Sequence, residues 1–437
     1  MPPNPGIVAG IVVGGGTLAG AYAYDYFKGK VQAPAGVEVD YDVPITNWSH
    51  TRSADVSEVY SPESVEQVQD LVKWAHEVGH KLRPMGSALS PNGIANEPYG
   101  MISMSNLDSI LEVDEKNLTV RVQAGCRIQT ILEELKKHNM TLENFSSITE
   151  QQAGGWTQVS AHGTGVLLRT VDEMVKEIEI VTPGLGVLRL GDYSVGEEAD
   201  MFKTVRVGMG TLGVVTELTL KCVPIFHLKE TVSISTLPEL RKNKDELLRK
   251  HRHLRLWFLP YTDTVAVYTI DPVDKDHKLA NPQRPLEEAL KPMTDLLRKL
   301  NPNIGNLDGQ PMPLIRDSLI AVDPLNPDHM ARVNAAEAEF WKLSVGERMG
   351  ESDDILGLNC GGCQWTIENC YPVGELNGKS NVDLDYSEAI INMIETERLP
   401  SGPMEQRWSA SSSSPMSPAY SKNKDEIFSW VGTIFTF

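Results

Sequence analysis

The amino-acid sequence predicts an α+β protein that folds as more than one domain. A chain of 437 residues is longer than a single hydrophobic core usually accommodates, so two folded domains are expected. Segments with one apolar face at helical spacing are interspersed with segments in which apolar and polar residues alternate, as in strands. A content of 41% hydrophobic and 23% charged residues is typical of a folded globular chain.

The first 30 residues add a predicted membrane anchor. Residues 6–24 carry no charge and are just long enough to span a bilayer as a helix. Glycines at every fourth position from Gly6 to Gly14 have the G-x-x-x-G spacing that lets membrane helices approach closely. Residues 31–45 contain two prolines and a glycine and are predicted to be a linker.

A second interpretation of the N-terminal segment is a dinucleotide-binding fingerprint. Residues 14–19 fit the pattern G-x-G-x-x-A, and Asp40 lies about twenty residues further on, where an acidic residue contacts the ribose. That fold needs a second strand and helix soon after Asp40, whereas residues 43–48 have an irregular pattern. The membrane anchor is therefore the favoured interpretation.

The first folded domain is predicted at residues 46–227. The helices are predicted from apolar residues on one face, and Gly79 would end the first of them. The segment Pro183-Gly184-Leu185-Gly186 between two alternating stretches indicates a hairpin. The predicted elements, in chain order, are a helix at 64–76, strands at 81–84 and 119–124, a helix at 127–138, and strands at 177–181, 187–190 and 214–223.

A second α+β domain is predicted at residues 228–437. Two alternating stretches joined by Pro260-Tyr261-Thr262-Asp263 indicate an antiparallel strand pair. The polar, proline-containing residues 271–285 predict a loop. The predicted elements are a strand at 231–235, a helix at 238–251, strands at 254–259 and 264–269, and helices at 286–299 and 330–345.

The charge and the cysteines narrow the possible functions. A formal net charge of -19 argues against nucleic acid as a partner, because phosphate would be repelled. The same charge would suit a basic protein partner, although acidity is also a common route to solubility. Five cysteines, an odd and small number, do not indicate a disulfide framework. Cys360 and Cys363 have the spacing of a zinc knuckle without a second ligand pair, so no metal site is predicted.

Three glycine-rich segments are candidates for binding a cofactor. They lie at residues 83–93, 154–165 and 208–215. Small residues leave backbone N–H groups accessible, and such a loop can hold a pyrophosphate without a lysine. The second segment contains His162, although a histidine considered alone is more often structural. None of the three has the lysine of a Walker loop, and each taken alone could be an ordinary turn.

Glu405 and Arg407 are candidates for substrate binding. They are two residues apart, so on a strand both side chains point to the same face. A carboxylate beside a guanidinium can hold a polyol lactone through several hydrogen bonds and can stabilise developing charge. The alternative is an ordinary surface ion pair, which the spacing alone would favour.

Taken together, these segments resemble a known family. Their order and spacing are similar to those of the FAD domain of the vanillyl-alcohol oxidase superfamily. Within that superfamily the chain resembles the FAD-linked aldonolactone oxidases and dehydrogenases, which act on L-galactono-1,4-lactone and its relatives. The matching stretches are residues 83–94, 150–155, 161–165, 212–215, 260–265, 323–326, 336–341, 405–408 and 427–432.

The resemblance implies a fold and a set of site residues. We expect a two-subdomain FAD-binding domain, followed by an α+β cap domain whose antiparallel sheet binds the substrate. In the family the lactone gives a hydride to the flavin, and Glu405 and Arg407 would be the catalytic residues that hold the lactone over it. The residues implied to bind FAD are Arg83, Pro84, Met85, Gly86, Ser87, Ala88, Leu89, Ser90, Asn92, Gly93, Ser146, Gln151, Gly154, Gly155, Ala161, His162, Gly163, Thr164, Gly165, Gly210, Gly213, Val214 and Val215.

Two positions depart from the family pattern in informative ways. Leu89 lies where the oxidase relatives place the histidine that links the flavin. Leucine cannot form that bond, so the resemblance implies non-covalent FAD. Ser146 lies where the dehydrogenases typically keep a small alanine that shields the flavin from oxygen. Serine is similar in size but polar, so low oxygen reactivity is expected.

The resemblance also implies a biological setting. The family oxidises L-galactono-1,4-lactone to L-ascorbate in mitochondria and passes the electrons to cytochrome c, a basic protein that an acidic surface would steer. We therefore expect this chain at the mitochondrial inner membrane, on the side of the intermembrane space. The family continues past Phe437, so the cap is expected to be C-terminally shortened. The alternative is a catalytically impaired relative that serves as an assembly factor or accessory subunit of respiratory complex I.

Overall fold

The computed structural model describes residues 33–357, 364–378 and 380–436. The membrane anchor predicted at residues 1–30 lies outside these ranges, as do Cys360 and Cys363. Among the helices inside these ranges, none is both long enough and apolar enough to cross a membrane.

Two main sheets form the N-terminal half of the structure. The first has the order β1 (Glu38–Thr46), β2 (Ser53–Ser61), β4 (Gly100–Ser103), β3 (Arg83–Met85). In this sheet β1 and β2 pair antiparallel, whereas β4 pairs parallel with both β2 and β3. The second sheet is antiparallel throughout. Its order is β5 (Ile110–Asp114), β6 (Thr119–Gln123), β10 (Val214–Lys221), β8 (Val175–Thr182), β9 (Gly186–Gly191), and a separate short pair joins β7 (Met140–Thr141) to β11 (Val223–Pro224).

Four helices accompany these sheets and bury their apolar faces in one shared core. They are α1 (Val65–Val78), α2 (Ile128–Lys137), α3 (Ala153–Gln158) and α4 (Glu197–Val205). Helix α1 begins after Ser64, whose hydroxyl accepts the Gln67 N–H, and ends at Gly79 in the left-handed conformation with φ 69°. Its bounds and those of α2 confirm the helices predicted at 64–76 and 127–138.

A seven-stranded sheet dominates the C-terminal half, and all of its pairings are antiparallel. Its order is β15 (Gly346–Glu351), β12 (His227–Ser235), β14 (Val265–Val273), β13 (His253–Phe258), β17 (Met404–Ala410), β18 (Glu426–Thr436), β16 (Gln364–Glu375). The predicted strand pair at 254–259 and 264–269 is therefore confirmed. The strand β12 begins at His227, and a domain division at 227/228 remains our proposal.

Helices cover both faces of this sheet. One face packs against α5 (Leu237–Lys250) and α11 (Val382–Thr396) through a core of aliphatic residues and Trp408. On the opposite face, Trp257 and Tyr268 pack against α9 (Pro327–Leu343). Helix α9 in turn packs against three further helices in a separate apolar cluster. The remaining helices are α6 (Leu286–Ala289), α7 (Lys291–Leu300), α8 (Met312–Ile320) and α10 (Ser352–Leu356).

The linker prediction for residues 31–45 is wrong from Glu38 onward, where β1 begins. Val43 and Ile45 of this strand pack against the buried residues Val56 and Met101. Pro44 is compatible with the strand because β1 is the edge of its sheet, where a missing N–H is tolerated. Prolines and a glycine in the sequence therefore obscured an alternating pattern that the sheet uses.

Candidate active site and cofactor cleft

A cleft in the N-terminal half brings residues from all three glycine-rich segments together. It encloses about 890 Å³ of empty space that is continuous with the solvent. The predicted cofactor residues that line it are Arg83, Pro84, Met85, Gly86, Ser87, Ala88, Leu89, Ser90, Gln151, Gly154, Gly155, Gly210, Gly213 and Val215. Segments more than 100 residues apart in the sequence thus share one concave surface.

The polar groups of the cleft fit a pyrophosphate-linked cofactor such as FAD. The backbone N–H groups of residues 86–90 donate to no acceptor elsewhere in the described ranges. Consecutive N–H groups of this kind form an anion-binding surface. The amide oxygen of Gln152, which also lines the cleft, is buried and accepts no hydrogen bond from the described residues. A ligand N–H group would satisfy this oxygen, since buried acceptors are normally paired.

Close packing explains why small residues form the walls. A Cβ atom at Gly154 would lie 2.9 Å from the Cβ of Ala124, so helix α3 approaches β6 only because residue 154 has no side chain. Gly210 adopts a positive φ of 71°, and a Cβ there would lie 2.7 Å from Cγ of Pro84. Gly155 differs from both, because a Cβ at this position would meet no atom within 4 Å. Its open side belongs to the cleft.

Sequence reasoning missed several residues that line the cleft. Gln152, Trp156 and Gln158 belong to the same stretch as the predicted glycines, and their neighbourhood was the available signal. Met104 and Ala124 follow strands β4 and β6 and carry no motif that could have identified them. The unpredicted lining residues are Ile94, Ala95, Met104, Ala124, Gln152, Trp156, Gln158, Val159 and Met209.

The predicted residues Ala161, His162, Gly163, Thr164 and Gly165 do not line the cleft. This segment instead contacts the seven-stranded sheet. The Thr164 hydroxyl donates to a carbonyl of β13 at 2.6 Å, and the Gly165 N–H donates to a carbonyl of β17 at 2.7 Å. The ring of the buried His253 donates to the Thr164 carbonyl at 2.6 Å, and burial lowers the pKa of His253 to about 4. The segment is therefore a junction between the two halves of the structure.

Four other predicted cofactor residues also lie outside the lining. The Asn92 side chain accepts the N–H of Ile94 at 3.0 Å, and Gly93 follows it in the same loop. Val214 is buried in β10 between two lining residues. The Ser146 hydroxyl donates to Gln151 and accepts the indole N–H of Trp156 at 3.0 Å. Ser146 therefore lies one contact behind the cleft wall.

Glu405 and Arg407 project from β17 on the same face of the sheet. Arg255, which lies opposite Arg407 on β13, contacts Glu405 at 3.2 Å between Nε and Oε1. Arg407 contacts the same carboxylate at 3.4 Å between Nε and Oε2. The side chains of Arg255 and Arg407 are only 5% and 11% exposed, so this is no ordinary surface ion pair. Arg255 was missed because its partner is about 150 residues away in the sequence.

One further contact places this pair beside the cleft. Arg407 Nη1 donates to the hydroxyl of Ser147 at 3.3 Å. The preceding residue, Ser146, is bonded to Gln151 and Trp156 of the cleft wall. Ser147 and Ser146 therefore connect this pair to the cleft wall.

A second carboxylate lies on the other side of Arg407. Glu368 Oε1, on β16, accepts from Arg407 Nη2 at 3.2 Å, and its Oε2 lies 3.1 Å from His162 Nε2. The His162 ring stacks on Trp430 with centroids 3.7 Å apart and an interplanar angle of 13°. Burial raises the pKa of Glu368, but His162 and Arg407 outweigh it and hold the pKa at about 2. Glu368 is thus a carboxylate between two cationic or hydrogen-bonding side chains.

Comparison with known proteins identifies the family. Residues 56–191 match the family described as FAD binding domain, and residues 218–301 match the family described as D-arabinono-1,4-lactone oxidase. The chain is 44% identical over 407 residues to the mitochondrial L-galactono-1,4-lactone dehydrogenase of Brassica oleracea, an alignment that covers 89% of this chain and 67% of that protein. The chain belongs to the FAD-dependent aldonolactone dehydrogenases and oxidases.

A further family relative and a solved structure are consistent with this assignment. The chain is 31% identical to L-gulonolactone oxidase of Bos taurus over 53% of this chain and 52% of that one. Cholesterol oxidase from Brevibacterium sterolicum has the same fold, with a TM-score of 0.70 at 17% identity, over 92% of this chain and 81% of that one. The predicted α+β fold, the FAD cofactor and the enzyme class are therefore confirmed. The chain spans about two thirds of the length of the plant relatives that it matches.

Proposed function

We propose that this chain oxidises L-galactono-1,4-lactone to L-ascorbate, with FAD held non-covalently in the cleft and the lactone held by Glu405 and Arg407. The single observation that carries the proposal is the position of this buried pair: Arg407 donates to Ser147, and the adjacent Ser146 is hydrogen-bonded to Gln151 and Trp156 of the cleft wall. Bound FAD supplies the hydride acceptor, and the side chains of this chain supply orientation and electrostatics.

The arrangement of charges suits a lactone that carries several hydroxyl groups. Arg255 and Arg407 both contact Glu405, so its carboxylate is held from two sides and can accept hydrogen bonds from substrate hydroxyls. The guanidinium of Arg407 can donate to a lactone oxygen and stabilise negative charge that develops there. Because Arg407 is nearly buried, this interaction is stronger than it would be in water.

Two further residues support the proposed state of the cofactor. Leu89 lines the cleft and has no nucleophilic atom, which supports non-covalent FAD. The Ser146 hydroxyl is engaged both as a donor and as an acceptor by protein groups. Its polarity is therefore satisfied internally, which supports the proposal that serine replaces alanine here without admitting oxygen to the flavin.

The setting belongs to the same proposal. Relatives of this chain are named as mitochondrial dehydrogenases, which supports a place at the mitochondrial inner membrane, with residues 1–30 as the anchor. The formal charge of -19 supports cytochrome c, a basic protein, as the electron acceptor, since opposite charges accelerate the encounter.

Steady-state assays with the purified chain test the proposal. We expect L-galactono-1,4-lactone to drive cytochrome c reduction, with little oxygen consumption. Glu405→Gln and Arg407→Met should each lower kcat/KM by at least about 100-fold, because each removes a charged contact to the transition state. The control Glu375→Gln, near the end of β16, should match the wild type. An FAD-loaded chain that reduces no acceptor with any aldonolactone would contradict the proposal and would favour an assembly or accessory role in respiratory complex I.

A further inference from the structure

We propose that Glu368 is a positioning residue for Arg407, and that His162 fixes Glu368 from the opposite side. This inference rests on the proposed function, because the role of Arg407 does. It adds two residues to the site that act through Arg407 and need not contact the lactone themselves.

The guanidinium of Arg407 has a separate partner at each of its three nitrogens. Nε faces Glu405 at 3.4 Å, Nη1 donates to Ser147 at 3.3 Å, and Nη2 donates to Glu368 at 3.2 Å. A planar guanidinium with three partners in three directions cannot rotate about its stem without losing a contact. Two of the three partners are carboxylates, Glu405 at Nε and Glu368 at Nη2. Glu368 therefore holds a different nitrogen of the guanidinium from the one that faces Glu405.

Glu368 is itself fixed in position by two partners. Its two carboxylate oxygens have different partners, Arg407 at Oε1 and His162 at Oε2. The His162 Nδ1 lies 2.9 Å from the carbonyl oxygen of Gly163, which can only accept. Both ring nitrogens therefore face acceptors, so the ring is held on two sides. The stack of this ring on Trp430 holds its plane.

The sheet is shaped to allow the Glu368–Arg407 contact. In the register of β17, β18 and β16, Gly432 lies between Glu405 and Glu368. A Cβ at Gly432 would come within 3.8 Å of Glu368 Oε1. This is an ordinary van der Waals distance, so an alanine would fit beside the carboxylate of Glu368. A branched side chain such as valine would extend further towards the Glu368–Arg407 contact.

The same contacts join the two halves of the structure. His162 and Ser147 come from the N-terminal half, whereas Glu368 and Arg407 lie on the seven-stranded sheet. The orientation of Arg407 therefore depends on how the sheet sits against the cleft. Hydride transfer needs the reacting atoms within a few tenths of an ångström of their productive position, so the loss of this alignment should slow turnover more than it weakens binding.

The test uses the full chain with Glu368→Gln, His162→Gln, the double variant, and the control Glu375→Gln on the same strand. FAD content and Tm report folding. We expect Glu368→Gln to keep its FAD and to lose about 10- to 100-fold in kcat, with a smaller change in KM. The double variant should lose no more than Glu368→Gln alone, since both residues act through one contact.

Several results would overturn the inference. One is a kcat of Glu368→Gln within twofold of Glu375→Gln; another is a crystal structure of Glu368→Gln in which Arg407 has not moved. If the wild type has no lactone activity, the proposed function fails. The crystal structure of Glu368→Gln then still tests whether Glu368 positions Arg407. If Glu368→Gln does not fold, His162→Gln and Gly432→Val carry the test, since both perturb the contact without removing the Glu368 charge; unchanged kcat in both would refute it.

Discussion

Replacing Gly155 by leucine should abolish FAD binding without unfolding the protein. Gly155 lies in the middle of α3 and lines the cleft, and a Cβ there would meet no atom within 4 Å. A leucine side chain therefore fits without meeting protein atoms, but it occupies the part of the cleft in which we propose that FAD binds. Replacement of glycine inside a helix also removes a backbone entropy cost of about 0.5–1 kcal/mol, so the FAD-free variant should be at least as stable as the FAD-free wild type.

The size of the effect follows from the linkage between binding and folding. At an FAD concentration of about 100 times Kd, binding stabilises the native state by about 2.7 kcal/mol. For a domain of about 150–250 residues, each kcal/mol raises Tm by about 2–4 °C. The wild type should therefore gain about 5–10 °C in Tm when FAD is added, and Gly155→Leu should gain nothing.

Thermal unfolding with and without added FAD measures this difference. The matched control is Gly184→Leu, in the hairpin between β8 and β9, where a Cβ also meets no atom within 4 Å but no cleft is present. The control should keep the wild-type response to FAD. An equal FAD-dependent rise in Tm for Gly155→Leu and wild type would refute the assignment of this cleft to FAD.

Three further predictions concern stability. Lys244→Met should lower the free energy of unfolding by about 3–5 kcal/mol in urea titrations, because it leaves the fully buried carboxylate of Asp383 without its cation; a loss below about 1 kcal/mol would contradict this. Asp172→Asn should lower the free energy of unfolding by about 1.5–3 kcal/mol in the same titrations, since the buried carboxylate accepts hydrogen bonds from three serine hydroxyls. An unchanged urea midpoint would show that these hydrogen bonds contribute little to stability. Burial raises the pKa of Glu368 but its partners hold it at about 2, below the ordinary 4.5, so its stabilising contribution is complete above about pH 5 and is lost as the pH falls from 4.5 towards 2. The Tm difference between wild type and His162→Gln should shrink over that interval, and a difference independent of pH would argue against the ion pair.

Local patterns in the sequence were sufficient to predict many of the residues that line the cleft. Gly154 and Gly210 are positions that favour glycine because atoms of Ala124 and Pro84 approach them closely, and such local constraints are visible in the sequence as glycine-rich segments. The amphipathic helices α1 and α2 were predictable for the same reason, since one face of each is buried. In both cases the physical constraint acts within a short stretch of chain.

The contacts around Arg407 could not be predicted in this way. His162 and Glu368 are separated by 206 positions in the sequence, and the register of β16, β18 and β17 places Glu368 near Glu405 and Arg407. The family resemblance implied a cofactor contact for His162, whereas in the structure its ring contacts Glu368 and Trp430 of the sheet. The register of long-range strand pairs depends on the whole fold, and no short pattern reports it.

The central claim is that this chain holds FAD and transfers electrons to it from an aldonolactone. The most direct measurement is the absorbance of the FAD-loaded chain, without oxygen or any acceptor, before and after L-galactono-1,4-lactone is added. We expect the flavin bands of the wild type to bleach, and those of Arg407→Met to bleach at least about 100-fold more slowly. A wild-type chain that retains its FAD, with bands that L-galactono-, L-gulono- and D-arabinono-1,4-lactone all leave unchanged, would contradict it.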